Sequence, residues 1–273
     1  AGCTAMTAPD DAALLAVRTR VRRSKIDRFV IVAMTLAGFL SLWEISGHLT
    51  NPMFFAAVSE VLIAFWQQII DPSHTLLNGL VETLAVLVPG FLIACILGLV
   101  LGVLMGRSNL ALQVLDPYVT IFYNTPRVAL IPVLLLWLGV GDTLKIVIVV
   151  LAAVFPVSVN VTAGIRDISA QFTEPARSMN ATEGQLLWKV ILPATLPYVM
   201  AGLKLGLGRA LTTVIVAEFF VSLSGLGGIL HAASSTYQMA KMFAPAIILA
   251  AMGITIDGLL TYMERRVLQR YRA

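Results

Sequence analysis

The chain alternates long, continuous apolar runs with short polar intervals. A helix crossing a hydrocarbon core of about 30 Å needs about 20 such residues at 1.5 Å each. Membrane β-barrels instead show alternating polarity in segments of about ten residues, and these runs do not alternate. The pattern therefore predicts an all-α integral membrane protein with six spans, at roughly 29–47, 79–105, 115–138, 143–164, 195–221 and 243–263. Segment 55–70, FAAVSEVLIAFWQQII, is shorter and more polar, and is expected to lie as an amphipathic helix at the interface.

Composition narrows the class without changing it. Of the 273 residues, 58% are hydrophobic and 12% charged, against about 45–50% and about 25% in soluble domains. Cys3 and Cys95 fall in a polar tail and an apolar run, so no disulfide or metal spacing arises. The opening AGCTAM lacks an initiator methionine and is taken as a processing edge, with Met6 a candidate start.

Charge supplies the orientation. Arg18, Arg20, Arg22, Arg23, Lys25 and Arg28 crowd the N-terminal tail, and Arg265, Arg266, Arg270 and Arg272 the C-terminal one. Arg107 follows span two, and Arg166, Arg177 and Lys189 follow span four, while the opposite side holds only Lys145 and Lys241. By the positive-inside rule both termini are expected in the cytoplasm, with residues 1–28 a cytoplasmic tail and 29–273 the transmembrane domain. The net charge of +4 follows from this bias and gives no reason to expect nucleic acid as a partner.

The interval 165–194 is too long for a connector and contains EPARSMNATEGQLLWKVILPATLP, residues 174–197. Thr173 is placed to cap a helix starting at Glu174, with Pro175 at its first position. Asn180, tolerant of left-handed backbone, is expected to end that helix. A second helix then begins near Thr182, with Leu186, Leu187, Val190 and Ile191 on one side, until Pro193 breaks it and Pro197 opens span five. The expected product is a helix–turn–helix on the cytoplasmic face, suited to docking a partner.

The spacing Glu174-Pro175-Ala176, three residues, Asn180, nine residues, Val190-Ile191-Leu192-Pro193 resembles the E-A-A-x3-G-x9-I-x-L-P signature of bacterial ABC importer permeases. Pro175, Asn180 and Val190 depart from it, standing for Ala, Gly and Ile. TPRVALIPVLLLWLGVGD (125–142), ATLPYVMAGLKLGLGRA (194–210) and VAEFFVSLSGLGGIL (216–230) resemble the subgroup that carries nitrate, alkanesulfonates, taurine and related anions. The resemblance implies a type I importer permease (MetI-like) fold with cytoplasmic coupling helices, in a bacterial inner membrane. It also implies a non-enzymatic subunit paired with a second copy of itself, two ATPase subunits that carry ATP and magnesium, and an external substrate-binding protein. No cofactor or metal is implied in this chain, which lacks a G-x-x-x-x-G-K-[ST] phosphate loop. Carried over by position, the ATPase contact is Glu174, Ala176 and Asn180 with their neighbours Pro175, Met179, Ala181 and Leu187.

Ionisable residues within spans are costly and therefore candidates for function. Arg127, Glu218 and Asp257 qualify, and Asn124, Thr125 and Pro126 break the third span beside Arg127. Arg127 either faces an anion pathway or pairs with Asp257 or Glu218 to hold helices together. Glu44 and Glu82, near span ends, are expected to be structural, and His231 to be a wet residue in an external loop. Gly98, Gly102 and Gly106, and Gly202, Gly206 and Ala210, form ridges expected to pack helices within the chain. SGLGG (224–228) is either a flexible outer turn or gate, or a plain loop. The alternatives to an ABC importer of anions are a secondary transporter driven by ion gradients, or a permease of the same fold for a thiamine-precursor pyrimidine or an aromatic acid.

Overall fold

The computed structural model describes residues 11–73, 75–222 and 224–271, with the side chains of some of these left aside. Cys3 and Met6 lie outside them, as do the side chains of Thr173 and Arg177 and those of the N-terminal arginines. The described residues are helical, without strands. Helices α1 (Asp11–Leu49), α2 (Val58–Ile70), α3 (Thr75–Arg107) and α4 (Asn109–Asn124) lead to a 3-10 turn, Arg127–Leu130, and α5 (Ile131–Leu138). Then follow α6 (Asp142–Ser178), the single turn α7 (Glu183–Gln185) and a π-helical stretch, Leu186–Ile191. Next are α8 (Leu192–Ala217), a π turn, Glu218–Ser222, α9 (Gly225–Ser235) and α10 (Met239–Tyr271).

Five helices are long and apolar enough to cross a membrane, or six crossings if the bent pair formed by Asn109–Asn124 and Arg127–Leu138 is one span. The expected third span is thus not a single rod: its halves meet at 93°. The other helices outrun the expected spans because hydropathy marks the hydrocarbon core, whereas a helix continues into water wherever its backbone stays paired.

Residues 1–63 form one compact unit and 64–273 another. In the first, Glu44 of α1 accepts hydrogen bonds from the Ser59 amide at 3.0 Å and hydroxyl at 2.5 Å. It therefore caps the start of α2, the structural role expected of it. Trp43 Nε1 donates to the Ala56 carbonyl at 3.0 Å.

The second unit is built on α3, α6 and α8. Gly90, Gly98, Gly102 and Gly106 of α3 lie against Val149, Val157, Val161 and Ile165 of α6, one glycine to each branched side chain. A Cβ at Gly102 would stand 2.6 Å from that of Val161, so the backbones approach as closely as glycine alone allows. Gly202 and Gly206 of α8 meet Asn160, Val157 and Ala153 on the same helix. Both ridges are internal packing, as expected. A core of Val86, Leu87, Ala94, Val149, Ala153, Ala210 and Val214 fills the space between the three helices.

Candidate functional site

The polar interval after span four is shorter than its sequence suggests. α6 runs unbroken to Ser178 with Pro175 inside it, so no helix starts at Glu174. The reason is local: between Gly164 and Glu174 nothing stops a helix, and Pro175 removes only one backbone bond. Likewise Pro193 does not end the following helix. The Leu186–Ile191 stretch widens to a π turn just before it, and the Leu192 amide bonds the Leu187 carbonyl. The wider turn accommodates the missing amide of Pro193, and Pro197, expected to open span five, lies inside α8.

What remains is a sharp turn at 179–182. Asn180 has φ 57, the left-handed conformation expected of it. The Ala181 amide bonds back to the Ala176 carbonyl at 3.1 Å, closing the helix end as a Schellman motif does. Thr182 then caps the next helix in a capping box: its hydroxyl accepts from the Gln185 amide, and Gln185 Oε1 accepts from the Thr182 amide. Arg107 at the end of α3 pairs with Glu183 at 3.0 Å.

Leu186 and Ile191 are buried, with Leu187, Val190 and Ala176 packed beside them on Val157, Val161, Ile165 and Val199. Leu187 and Ala176 thus face the chain's own core, because the apolar stripe that suits docking also suits packing. Glu174, Pro175 and Asn180 are exposed and Ala181 half-buried. Met179 and Trp188 stand out at 84% and 72% exposure. Trp188 was missed by the sequence reading; its signal was a large aromatic off the apolar stripe.

The second candidate region is the break in the third span. Thr125 adopts extended backbone (φ −67, ψ 131), as the residue before Pro126 must. Asn124 Nδ2 bonds the Thr120 carbonyl and Thr125 Oγ1 the Ile121 carbonyl, both at 2.8 Å. Arg127 donates to the carbonyls of Tyr123 at 3.1 Å and Leu151 at 3.4 Å. It meets neither Asp257 nor Glu218, which corrects the pairing alternative: the bend at Pro126 turns Arg127 back onto its own helix end. Asp257 is exposed, in a groove of α10 with Gly253, Gly258, Thr261 and Arg265.

Glu218 is wholly buried, and so does not border an open face. Its Oε2 accepts from Thr83 Oγ1 at 2.9 Å and from the Gly227 amide at 3.0 Å. Thr83 Oγ1 accepts from the Leu226 amide, and Glu82 from the Gly225 amide at 2.7 Å. The first three amides of α9 are thereby satisfied by three side chains. SGLGG is consequently neither a loose turn nor a plain loop: Gly225 to Gly228 are buried at a helix start. His231 lies within α9, stacked edge-on against Phe219, and not in a loop. Lys145, counted in the sequence only for its charge on the far side, is buried beside this cluster, bonded to Asp142 at 2.6 Å and to Ser224 at 3.1 Å.

Among the described residues no three His, Cys, Asp or Glu side chains gather as a metal site. A helical bundle with five long apolar helices and a sixth, bent pair has the make-up of a multi-span membrane protein. Residues 94–269 match the family model of the binding-protein-dependent transport system inner membrane component. The chain belongs to this family of ABC transporter permeases. It is 33% identical to an aliphatic sulfonates transport permease protein of Bacillus subtilis, over 85% of this chain and 84% of that protein. It is 30% identical to the taurine transport system permease protein of Escherichia coli, over 85% and 86%. The bicarbonate transport system permease protein of Synechococcus elongatus is 26% identical, over 90% and 92%. Among solved structures, the inward-facing MetNI methionine ABC transporter shares the fold, with TM-score 0.63 and 24% identity over 72% of this chain and 98% of that chain.

Proposed function

We propose that this chain is the transmembrane half of an ATP-driven importer for a small organic or inorganic anion. A second copy completes the pathway, two separate ATPase subunits bind ATP and magnesium, and an external binding protein delivers the solute. The observation that carries this reading is the turn at 179–182. A left-handed Asn180 between two capped helix ends falls at the turn position of the importer signature, with Met179 and Trp188 as exposed apolar knobs. A rigid turn transmits force where a loose loop would absorb it. In this reading Glu174, Pro175, Met179, Asn180 and Trp188 meet the ATPase, while Ala176, Ala181 and Leu187 hold the turn onto the bundle. The segment 165–194 then lies on the cytoplasmic side of a bacterial inner membrane.

The anion is supported by the relatives named for sulfonates, taurine and bicarbonate. Residues Asn124 to Arg127 border the pathway in this account, and Asp257 is free to do so from α10. Affinity-tagging the chain in cells that carry its neighbouring genes tests the assembly directly. An ATPase should co-purify at one copy per permease copy; a permease that purifies alone and still supports uptake contradicts the reading.

A further inference from the structure

Two arginines from different helices converge on Tyr123, at the end of α4. Arg127 Nη2 donates to its main-chain carbonyl at 3.1 Å. Arg209 of α8 donates to its phenol oxygen at 2.9 Å, with the guanidinium 4.3 Å from the ring centroid. Tyr123 thus holds one guanidinium at its main chain and the other at its side chain. Both are half-buried, and neither forms an ion pair with a carboxylate among the described residues. Leu151, which anchors Arg127, lies in Asp142–Asp167 and Arg209 in Glu183–Val221, two helices long and apolar enough to cross a membrane, so in the importer reading both charges lie at bilayer depth. Beside Arg209, the α8 residues Ala201, Leu205, Gly208 and Thr212 form an uncovered stripe.

Unpaired like charges at that depth are expensive, and carbonyl anchors hold a guanidinium without neutralising it. We propose that Arg127, Arg209 and the Tyr123 hydroxyl form a site for a small, singly charged oxoanion, such as a sulfonate, carboxylate or bicarbonate, on its way through the membrane. This rests on the anion-importer reading and adds to it the residues that recognise the charge. The donors suffice. A guanidinium carries five N–H groups, of which Arg127 uses two and Arg209 one in these bonds. The Tyr123 oxygen accepts from Arg209, which leaves its own hydrogen to donate. Two oxygens of an oxoanion match the guanidinium fork, and its charge supplies the counter-ion that both arginines lack.

The test uses the chain assembled with its ATPase in phosphatidylcholine nanodiscs, with thermal unfolding followed against ethanesulfonate and against ethyl methyl sulfone, an uncharged molecule of similar shape. Ethanesulfonate should stabilise the complex and the sulfone should not. Arg127→Gln and Arg209→Gln should each weaken the apparent affinity about tenfold or more, the loss expected for a charge-assisted bond. Tyr123→Phe keeps the ring beneath Arg209 and removes only the hydroxyl, so it probes the site even if a Gln variant fails to assemble; it should weaken affinity severalfold. Unchanged affinity in Tyr123→Phe or in an assembled Gln variant overturns the proposal, as does equal stabilisation by the sulfone. A response that appears only when phosphatidylglycerol is added assigns the arginines to a lipid phosphate and also overturns it. Indifference of the unaltered complex to ethanesulfonate, acetate and bicarbonate alike contradicts the anion reading itself, a result distinct from an unresponsive variant.

Discussion

At Asn180 the backbone stands at φ 57, where a branched side chain costs about 1–2 kcal/mol. Asn180→Gly should therefore keep ATP-dependent uptake and ATPase binding, whereas Asn180→Val should lower both, as measured by uptake and co-purification. This turn was legible because few residues other than glycine accept that conformation, and Asn is foremost among them. Arg127→Ala should reduce transport about tenfold or more while leaving the complex assembled, since its partners are carbonyls and not a carboxylate that would be stranded. Loss of assembly on size exclusion would instead give Arg127 a packing role. Arg209 escaped the sequence reading because it follows the small-residue ridge LGLG, and its partner Tyr123 is 86 positions away. Nothing local announces such a pairing. Trp188 escaped for the opposite reason, as an apolar residue next to an apolar stripe.

Among elements, close packing by the α3 ridge was legible, since glycines four apart leave a groove along one helix face, while its partner α6 was not named by the sequence. The branched residues that fill it, Val157, Val161 and Ile165, recur at the same spacing. Gly102→Leu should destabilise the chain by about 1–3 kcal/mol through overpacking, read as a lower unfolding midpoint in detergent. Gly38→Ala on α1, with open space at the Cβ position, should be neutral or mildly stabilising. The α9 start was not anticipated: SGLGG has the composition of a loop, and its order comes from Glu82, Thr83 and Glu218 on other elements. Glu218→Ala strands the Gly227 amide and the Thr83 hydroxyl, and should cost about 1–3 kcal/mol for each unsatisfied group. Continuous helix through Pro175 and around Pro193 was missed for a common reason. A proline removes one amide, and a long helix packed on neighbours outlasts that loss or widens to a π turn.

For the whole molecule, topology hinges on the bent pair. If Asn109–Asn124 and Arg127–Leu138 make one crossing, the crossings number six and both termini share a side. The positive-inside rule then predicts that side, with its basic tails, to be the cytoplasm. Reporter fusions at each end should both read as cytoplasmic; opposite readings would make the pair re-entrant. The long apolar spans gave away the fold class, and the signature spacing pointed to the permease family that the comparison bears out. Arg127 was visible as a charge in a span, but its convergence with Arg209 on Tyr123 was not, because those helices meet only after folding. The most direct measurement is uptake of labelled taurine or ethanesulfonate into proteoliposomes holding this chain, its ATPase and its binding protein. The account predicts uptake that requires ATP inside, the ATPase and the binding protein, and that falls sharply in Asn180→Val. Uptake driven by an ion gradient without the ATPase would contradict it.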